Sequence, residues 1–280
     1  MIGYDKILEE LQHQRARHPA NAETLALYGD LLAAQARVPV LPREYAAIAQ
    51  IAPARIERGL PVLPPEAFRA DCAALAQLCD ETCVITARHR ADLRDALDAI
   101  RAWRAQEHNS ILAFAAEYLR DEGLGKAREV GLDTPLLGFV LNHALHPFLR
   151  TYAKVLSPFV DVSIWYRARC PVCGGEPDFA ALAKDTGART LLCARCDFEW
   201  SFWRGTCPFC ECDDPDQQKY FTCDDEVYRL YVCEKCGRYI KTIDLRQVAD
   251  EHVLPVERIL TLSLDVAARQ VSAAISQPIS

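Results

Sequence analysis

The architecture follows from CPVC at residues 170–173, CARC at 193–196, CPFC at 207–210 and CEKC at 233–236. A Cys-x-x-Cys pair lets one tight turn aim two sulfurs at a single ion. Nineteen residues separate the first two pairs and twenty-two separate the last two. The first spacing is typical of a four-cysteine ribbon, with roughly 15 to 20 residues between pairs, and the second is slightly longer. Consecutive pairing predicts a first cysteine set and a second cysteine set, each binding one metal ion: Cys170, Cys173, Cys193 and Cys196; Cys207, Cys210, Cys233 and Cys236.

A cross-braced arrangement, in which the first pair joins the third and the second joins the fourth, is the alternative. It would interrupt the strands that the gaps between pairs predict. In either arrangement protein sulfur fills all four positions around the ion, which leaves no place for a water or a substrate. We therefore expect structural or electron-transfer ions and no metal-assisted hydrolysis. A thiolate cage accepts zinc or iron, so the ligands alone do not choose the metal.

The segments around the pairs are short and β-prone: TLLC, FEWSFW, KYFTC, EVYRLYVC and RYIKTIDL. The first 160 residues instead show a helical period, with prolines punctuating residues 39–65 and Pro147 expected to kink or divide the helix that begins near residue 134. After residue 250 a single closing helix is predicted. The fold class is therefore α+β, a helical N-terminal domain followed by two tandem rubredoxin-like or zinc-ribbon-like modules and a C-terminal helix. The expected boundaries are 1–163, 164–204, 205–246 and 247–280.

Composition and charge narrow the function. Half of the 280 residues are hydrophobic and a quarter are charged, which is typical of a globular protein. The formal charge of -7, made more negative by eight thiolates around two divalent ions, disfavours nucleic acid as a partner. Asp5, Glu9 and Glu10 stand where a secretory signal would be basic, and no apolar stretch is long enough for membrane insertion. Because the sequence shows no export signal, we expect a cytoplasmic protein. Thiols stay reduced in that compartment, so the thirteen cysteines indicate metal binding or redox chemistry.

We find no Ser/His/Asp arrangement, no phosphate-binding glycine loop and no H-E-x-x-H motif, so we expect no enzyme activity and no catalytic residues.

Three segments resemble a known family: CPVCGGEPDFA from residue 170, RTLLCARCDFEWSFWRGTCPFC from 189 and VYRLYVCEKCGRYIKTIDL from 227. Over residues 167–245 they are similar to the FdhE family of formate dehydrogenase accessory proteins. The resemblance implies a cytoplasmic factor needed for active molybdenum- or tungsten-dependent formate dehydrogenase. It also implies contact with the catalytic subunit of that enzyme and two rubredoxin-like iron sites, with zinc as the other possible metal. Cys212 and Cys223 have no place in the family pattern.

Two other functions are compatible with the cysteine pairs. One is a zinc-ribbon module that binds nucleic acid or protein, and the other is a rubredoxin-type electron carrier.

Each of three surface features has two interpretations, one purely structural and one functional. An acidic stretch is either a solvated loop or a docking surface for a basic segment: Glu211, Asp213, Asp214, Asp216, Asp224, Asp225 and Glu226. Strand alternation places Trp200 and Phe202 on one face and Trp203 on the other, where an exposed ring would anchor a partner. An arginine cluster would meet an anion or form a solvated rim: Arg167, Arg169, Arg189, Arg195 and Arg204.

In the helical region, Cys72, Cys79 and Cys83 share one helix stripe, for which we favour core packing over a third metal site. We likewise favour a hydrogen-bonded helix pair over a metal site for His143 and His146.

Overall fold

The structure is a computed structural model, which describes residues 1–38, 45–106, 110–121, 123–222, 226–249 and 251–275. The chain divides into two compact units. The helical unit comprises residues 3–48 and 63–155, and the cysteine unit comprises residues 1–2, 49–62 and 156–280. The predicted α+β class is confirmed, with a helical N-terminal region, a mixed sheet and C-terminal helices.

Eight α-helices precede the first strand in the described part of the chain: α1 Tyr4–Arg17, α2 Ala22–Ala36, α3 Tyr45–Glu57, α4 Cys72–His89, α5 Arg94–Gln106, α6 Ser110–Leu119, α7 Gly125–Glu129 and α8 Thr134–Leu156. Helix α3 continues through Pro53, although the prolines of residues 39–65 predicted interruptions of helical structure there. Ile48, Ala52 and Ile56 are buried at four-residue steps, so burial of one face sustains a helix that propensity alone disfavours. None of the helices in the described residues is long and apolar enough to cross a bilayer.

Helix α4 confirms the interpretation as core residues for Cys79 and Cys83, whereas for Cys72 that interpretation is wrong. The Asp71 carboxylate accepts a hydrogen bond from the Ala74 N–H and caps the helix start. Cys79 and Cys83 are buried, and burial raises the pKa of the Cys83 thiol to about 12. A neutral buried thiol packs as a small apolar group. Cys72 is exposed at the helix start.

Helix α8 is not divided at Pro147, and that part of the expectation is wrong. Proline has no N–H, so the carbonyl four residues earlier loses its helical partner. That carbonyl belongs to His143, and the Gln35 side-chain amide donates to it at 3.0 Å. Gln35 also bonds Nδ1 of His143 at 3.2 Å and Nδ1 of His146 at 3.0 Å. Both histidines are therefore hydrogen-bonded, through the Gln35 side chain, as we favoured over a metal site. The same side chain supports the helix where proline weakens it.

The cysteine unit contains one six-stranded sheet, formed by β1 Pro177–Leu182, β2 Arg189–Cys193, β3 Glu199–Phe202, β4 Gln218–Thr222, β5 Tyr228–Cys233 and β6 Tyr239–Asp244. The strand order is β3-β2-β1-β6-β5-β4. Each half is an antiparallel meander, and the halves join through the parallel pair β1 and β6, with Phe179 opposite Lys241 and Leu182 opposite Asp244. The two tandem modules thus share one continuous sheet.

The single closing helix that the sequence predicted is divided in two, α9 Leu254–Leu260 and α10 Leu262–Ile275. The break falls at Thr261, whose hydroxyl donates to the Glu257 carbonyl at 2.8 Å. A threonine hydroxyl bonded back in this way tends to bend a helix. Helix α9 packs on β1, and α10 packs on β5 and β6. Leu254 joins Phe179, Leu192 and Ile243 in the core beneath the sheet.

Candidate metal centres

The structure brings together the four sulfurs of each predicted set, and in each group all four lie within 4.8 Å of one another. In the first cysteine set, Sγ of Cys173 lies 3.5 Å from those of Cys193 and Cys196, and Sγ of Cys170 lies 3.7 Å from that of Cys196. In the second cysteine set two Sγ pairs are each 3.7 Å apart: Cys207 with Cys236, and Cys210 with Cys233. A tetrahedron with metal–sulfur bonds of about 2.3 Å has edges of about 3.8 Å. Both groups therefore have the size of a tetrathiolate cage, with consecutive pairs combined and not cross-braced.

All four Cys-x-x-Cys turns have the same backbone geometry. In each, the carbonyl of the first cysteine accepts a bond from the residue four positions later, with N···O distances between 2.8 and 3.2 Å. The N–H of the first cysteine donates to the residue five positions later, at 2.8 to 3.0 Å. The residue that follows the second cysteine has a positive φ of 53 to 73° in every turn: Gly174, Asp197, Glu211 and Gly237.

The sequence showed glycine after the second cysteine in only two of the four turns. The other two hold Asp197 and Glu211 in the left-handed region, where a residue with a Cβ is strained. The shared turn therefore imposes its conformation on these residues against their preference. Closing each cage requires that conformation whatever residue occupies the position.

Backbone N–H groups also point at the sulfurs of the first cysteine set. The N–H of Gly175 donates to Sγ of Cys173 and that of Arg195 donates to Sγ of Cys193, both at 3.4 Å. A Cβ at Gly175 would lie 3.0 Å from Sγ of Cys193 and 2.9 Å from Cδ of Arg195. Glycine is required here because the backbone approaches the cage so closely. Such bonds stabilise a thiolate and orient it toward a cation.

Electrostatics explain why these sulfurs require a cation. Burial raises the pKa of Cys170 and of Cys196 well above the ordinary thiol value. Burial also raises the pKa of Cys207 in the second cysteine set. Four thiolates at these distances repel one another in a medium that solvates them poorly, and a divalent ion removes that cost. The donor set and its size fit zinc or iron equally well.

The two sets differ in solvent access. All four residues of the first cysteine set are buried. In the second cysteine set Cys207 and Cys233 are buried, whereas Cys210 and Cys236 are half-buried. The second set therefore has the sulfur edge that a chelator or an electron-transfer partner could reach.

Comparisons with known proteins were made on the whole chain. No protein-family model matches it. The chain is 34% identical over 170 residues to a protein named FdhE homolog from Aquifex aeolicus, an alignment that covers 59% of this chain and 55% of that protein. It is 30% identical over 165 residues to the FdhE homolog of Pseudomonas aeruginosa, covering 52% of each. The crystal structure of the FdhE protein from Pseudomonas aeruginosa matches with a TM-score of 0.64 at 19% identity, covering 96% of this chain and 92% of that one.

The chain is similar to FdhE proteins in part of its sequence and in its fold. This confirms the resemblance that the cysteine segments indicated. The sequence alignments span about half the length of the curated relatives, so the activity of the whole protein does not follow from them. The structural match extends the likeness of fold to almost the entire chain.

Cys212 lies beside the second cysteine set. It is buried against Cys207 and Cys233 but is not one of the four clustered sulfurs. Its carbonyl accepts the bond from the Cys207 N–H that closes the third turn, at 2.8 Å. The turn thus fixes the backbone of Cys212 beside the second cysteine set. Cys223, together with Asp224 and Asp225 of the acidic stretch, lies outside the described residues.

The five arginines around the first cysteine set do not converge on one site. Arg189 is buried, burial lowers its pKa to about 10, and its guanidinium lies over the Tyr231 ring at 4.8 Å. Because Arg189 is on β2 and Tyr231 on β5, this contact links the two halves of the sheet. Arg195 is buried, and Arg169 pairs with Glu176 at 3.3 Å. Burial of Arg189 and Arg195 was predicted by neither alternative, whereas Arg167, Arg169 and Arg204 are exposed, as a solvated rim requires.

Sequence reasoning missed two ionic links around the centres. Arg238, after the fourth turn, forms a bidentate pair with Glu176, after the first turn, and stacks on Phe209 of the third turn at 3.8 Å. Arg258 on α9 donates to Asp197 of the second turn at 2.9 Å. No local spacing identifies such pairs, because their members are about 60 residues apart in the chain.

Proposed function

We propose that the chain is an accessory protein required to form active formate dehydrogenase, that it binds the catalytic subunit of that enzyme, and that it carries two tetrathiolate ions. The likeness to proteins named FdhE homolog supports the link to formate dehydrogenase. The observation that carries the metal part is the convergence of eight sulfurs into two cages of tetrahedral size.

The role that we propose is binding and not catalysis. Each cage would present four protein sulfurs to its ion and leave no open coordination position. When bound, the ions supply a folding core and, if they are iron, a one-electron couple. The chain's own groups hold them: the turns orient the sulfurs, backbone N–H groups donate to two of them, and Arg238 with Glu176 connects the two centres.

We propose iron as the native metal, since the family resemblance implies rubredoxin-like sites. Oxygen-free purification followed by elemental assay and a visible spectrum tests this. Iron in both centres and thiolate-to-iron charge-transfer bands are expected. A colourless protein with two zinc ions per chain would overturn the choice of iron while leaving the cages intact.

The test of the accessory role is capture of the formate dehydrogenase catalytic subunit by tagged chain, with enzyme activity measured in the same cells. Changing both Cys170 and Cys173 to serine should abolish capture and activity, because the first cysteine set organises the sheet. The matched control is Cys212→Ser, which changes a buried cysteine outside both sets and should preserve both readouts. Undiminished capture and full activity with the double variant would refute the role.

A rubredoxin-type electron carrier is the second candidate, favoured by the half-buried Cys210 and Cys236. It requires a reversible one-electron couple and rapid exchange with a reductase. Redox-silent ions in oxygen-free material would eliminate it.

We further propose that residues 164–204 and 205–246 act as the two modules that individual ions organise, between the domain 1–163 and the C-terminal segment 247–280. We place the protein in the cytoplasm, where thiols stay reduced and can serve as metal ligands.

A further inference from the structure

Two large aromatic rings are exposed together on the cysteine unit. Trp203, just after β3, is 61% exposed, and Tyr166, just before the first turn, is 59% exposed. Their rings stack with centroids 5.7 Å apart and planes 19° apart. Trp200, three residues earlier, is 2% exposed and donates its indole N–H to the Arg167 carbonyl. The strand alternation that the sequence predicted thus buries Trp200 and leaves Trp203 on the surface.

Apolar surface continues beside the stacked pair. Phe159, Val162 and Ile164 are also exposed large side chains, and they lie in the short segment that leads to Tyr166. Clustered exposed apolar side chains mark interaction surfaces, and tryptophan and tyrosine are the residues that most often dominate them.

A cavity of about 360 Å³ opens next to the two rings. Its lining is aromatic and acidic: Tyr166, Phe202, Trp203, Thr206, Glu211 and Asp213. Glu211 and Asp213 are exposed carboxylates from the segment that follows the third turn. The lining contains no basic side chain.

The two arginines nearest in sequence, Arg167 and Arg204, are directed elsewhere. A Cβ built on Gly59 would lie 2.8 Å from Nε of Arg167, so that side chain lies against Gly59 and not in the cavity lining. A Cβ built on Gly187 would lie 3.3 Å from Nη1 of Arg204 and equally close to Nη1 of Arg246. The Arg204 guanidinium therefore lies beside the Gly187 turn, and it is not among the groups that line the cavity. Two carboxylates and two aromatic faces are thus left without a cation among the lining groups.

We propose that this surface, defined by Tyr166, Trp203, Glu211 and Asp213, docks a partner segment through a cationic side chain, arginine by preference. A guanidinium stacks on an indole face and at the same time forms directed hydrogen bonds with carboxylates, which an ammonium does less well. The negative charge of the chain would steer a basic segment toward it. That the segment belongs to the formate dehydrogenase catalytic subunit rests on the proposed function, whereas the chemistry of the site does not.

The direct test is calorimetric titration of the metal-loaded protein with the peptide acetyl-Gly-Arg-Gly-Arg-Gly-amide at low salt. The control peptide replaces both arginines with citrulline, which keeps the shape and removes the charge. The arginine peptide should bind about tenfold more tightly than the citrulline peptide, and added salt should weaken it. Equal binding of the two peptides, or no binding of either, would overturn the proposal.

Matched variants locate the binding. Trp203→Ala and Asp213→Asn should each weaken the arginine peptide about fivefold. Phe221→Ala removes an exposed ring on β4, Asp216→Asn removes an exposed carboxylate outside the cavity, and neither should have an effect. Unchanged metal content shows that each variant is folded. Equal losses in the test and control variants would show that only general charge attraction is at work and would refute the site.

Capture of the catalytic subunit separates this proposal from the previous one. Failure of the wild-type chain to capture the subunit refutes the proposed function and leaves the peptide result standing. Capture by wild type that is undiminished in Trp203→Ala refutes the use of this surface for that partner and leaves the proposed function standing.

Discussion

Two equivalent turn positions should respond in opposite ways to the same substitution. Asp197 and Glu211 both hold a positive φ after the second cysteine of a turn, where glycine is unstrained. Left-handed backbone costs an L-residue roughly 1–2 kcal/mol, which a change to glycine removes. Glycine also has more conformational freedom in the unfolded chain, and this offsets about 0.5–1 kcal/mol of the stabilisation. Glu211 is exposed, and its carboxylate accepts a long, weak hydrogen bond from the Ala168 N–H at 3.5 Å, so Glu211→Gly loses little and should stabilise the protein by about 0.5–1 kcal/mol.

Asp197→Gly gains the same relief but breaks a buried ion pair. Asp197 is buried and accepts from Nη2 of Arg258 at 2.9 Å. Breaking a buried pair costs about 3–5 kcal/mol, reduced here because Asp178 remains near Arg258 at 3.4 Å. The expected net effect is a destabilisation of about 2–3 kcal/mol.

The assay is denaturant unfolding of both metal-loaded variants under reducing conditions, followed by tryptophan fluorescence. The midpoint should rise for Glu211→Gly and fall for Asp197→Gly. Equal rises would show that the Arg258 pair contributes nothing, equal falls would show that the positive φ carries no strain, and either result would refute the reasoning.

Other predictions concern the centres, the core and pH. A chelator should release one ion quickly and one slowly, because Cys210 and Cys236 are half-buried while the first cysteine set is buried; simultaneous release, followed with a metal indicator dye, would contradict this. Cys79→Ala should lower the free energy of unfolding by roughly 1–2 kcal/mol and leave the metal content unchanged, since that thiol only fills the core. The hydrogen bond from Arg246 lowers the pKa of Asp244, so Asp244→Asn should destabilise at neutral pH; in a pH series its difference from wild type should begin to shrink only near the ordinary aspartate pKa of about 3.9 and should vanish below the lowered pKa of the folded protein.

The cysteine spacing predicted the centres well because it is a local property. Two sulfurs three residues apart can reach one ion only through a tight turn, and the gaps between pairs have the length of a hairpin. The grouping of consecutive pairs and the strands between them followed from this alone.

The union of the two modules could not be predicted in the same way. The parallel pair of β1 and β6 places Phe179 opposite Lys241, more than 60 residues later, and no periodicity encodes that contact. The ion pairs of Arg238 and Arg258 are equally non-local. Helix α8 was mispredicted for the same reason. The Gln35 side chain, on another helix, bonds the carbonyl that Pro147 leaves without a partner, and local helix propensity contains no information about that contact.

The central claim is that eight named thiols form two cages that each hold one ion. The most direct measurement combines elemental analysis with a count of disulfides by mass spectrometry, on protein isolated without oxygen. Two ions per chain and no disulfides within either cysteine set are predicted. A chain without a bound transition metal, or with disulfides joining members of the same set, would contradict the account.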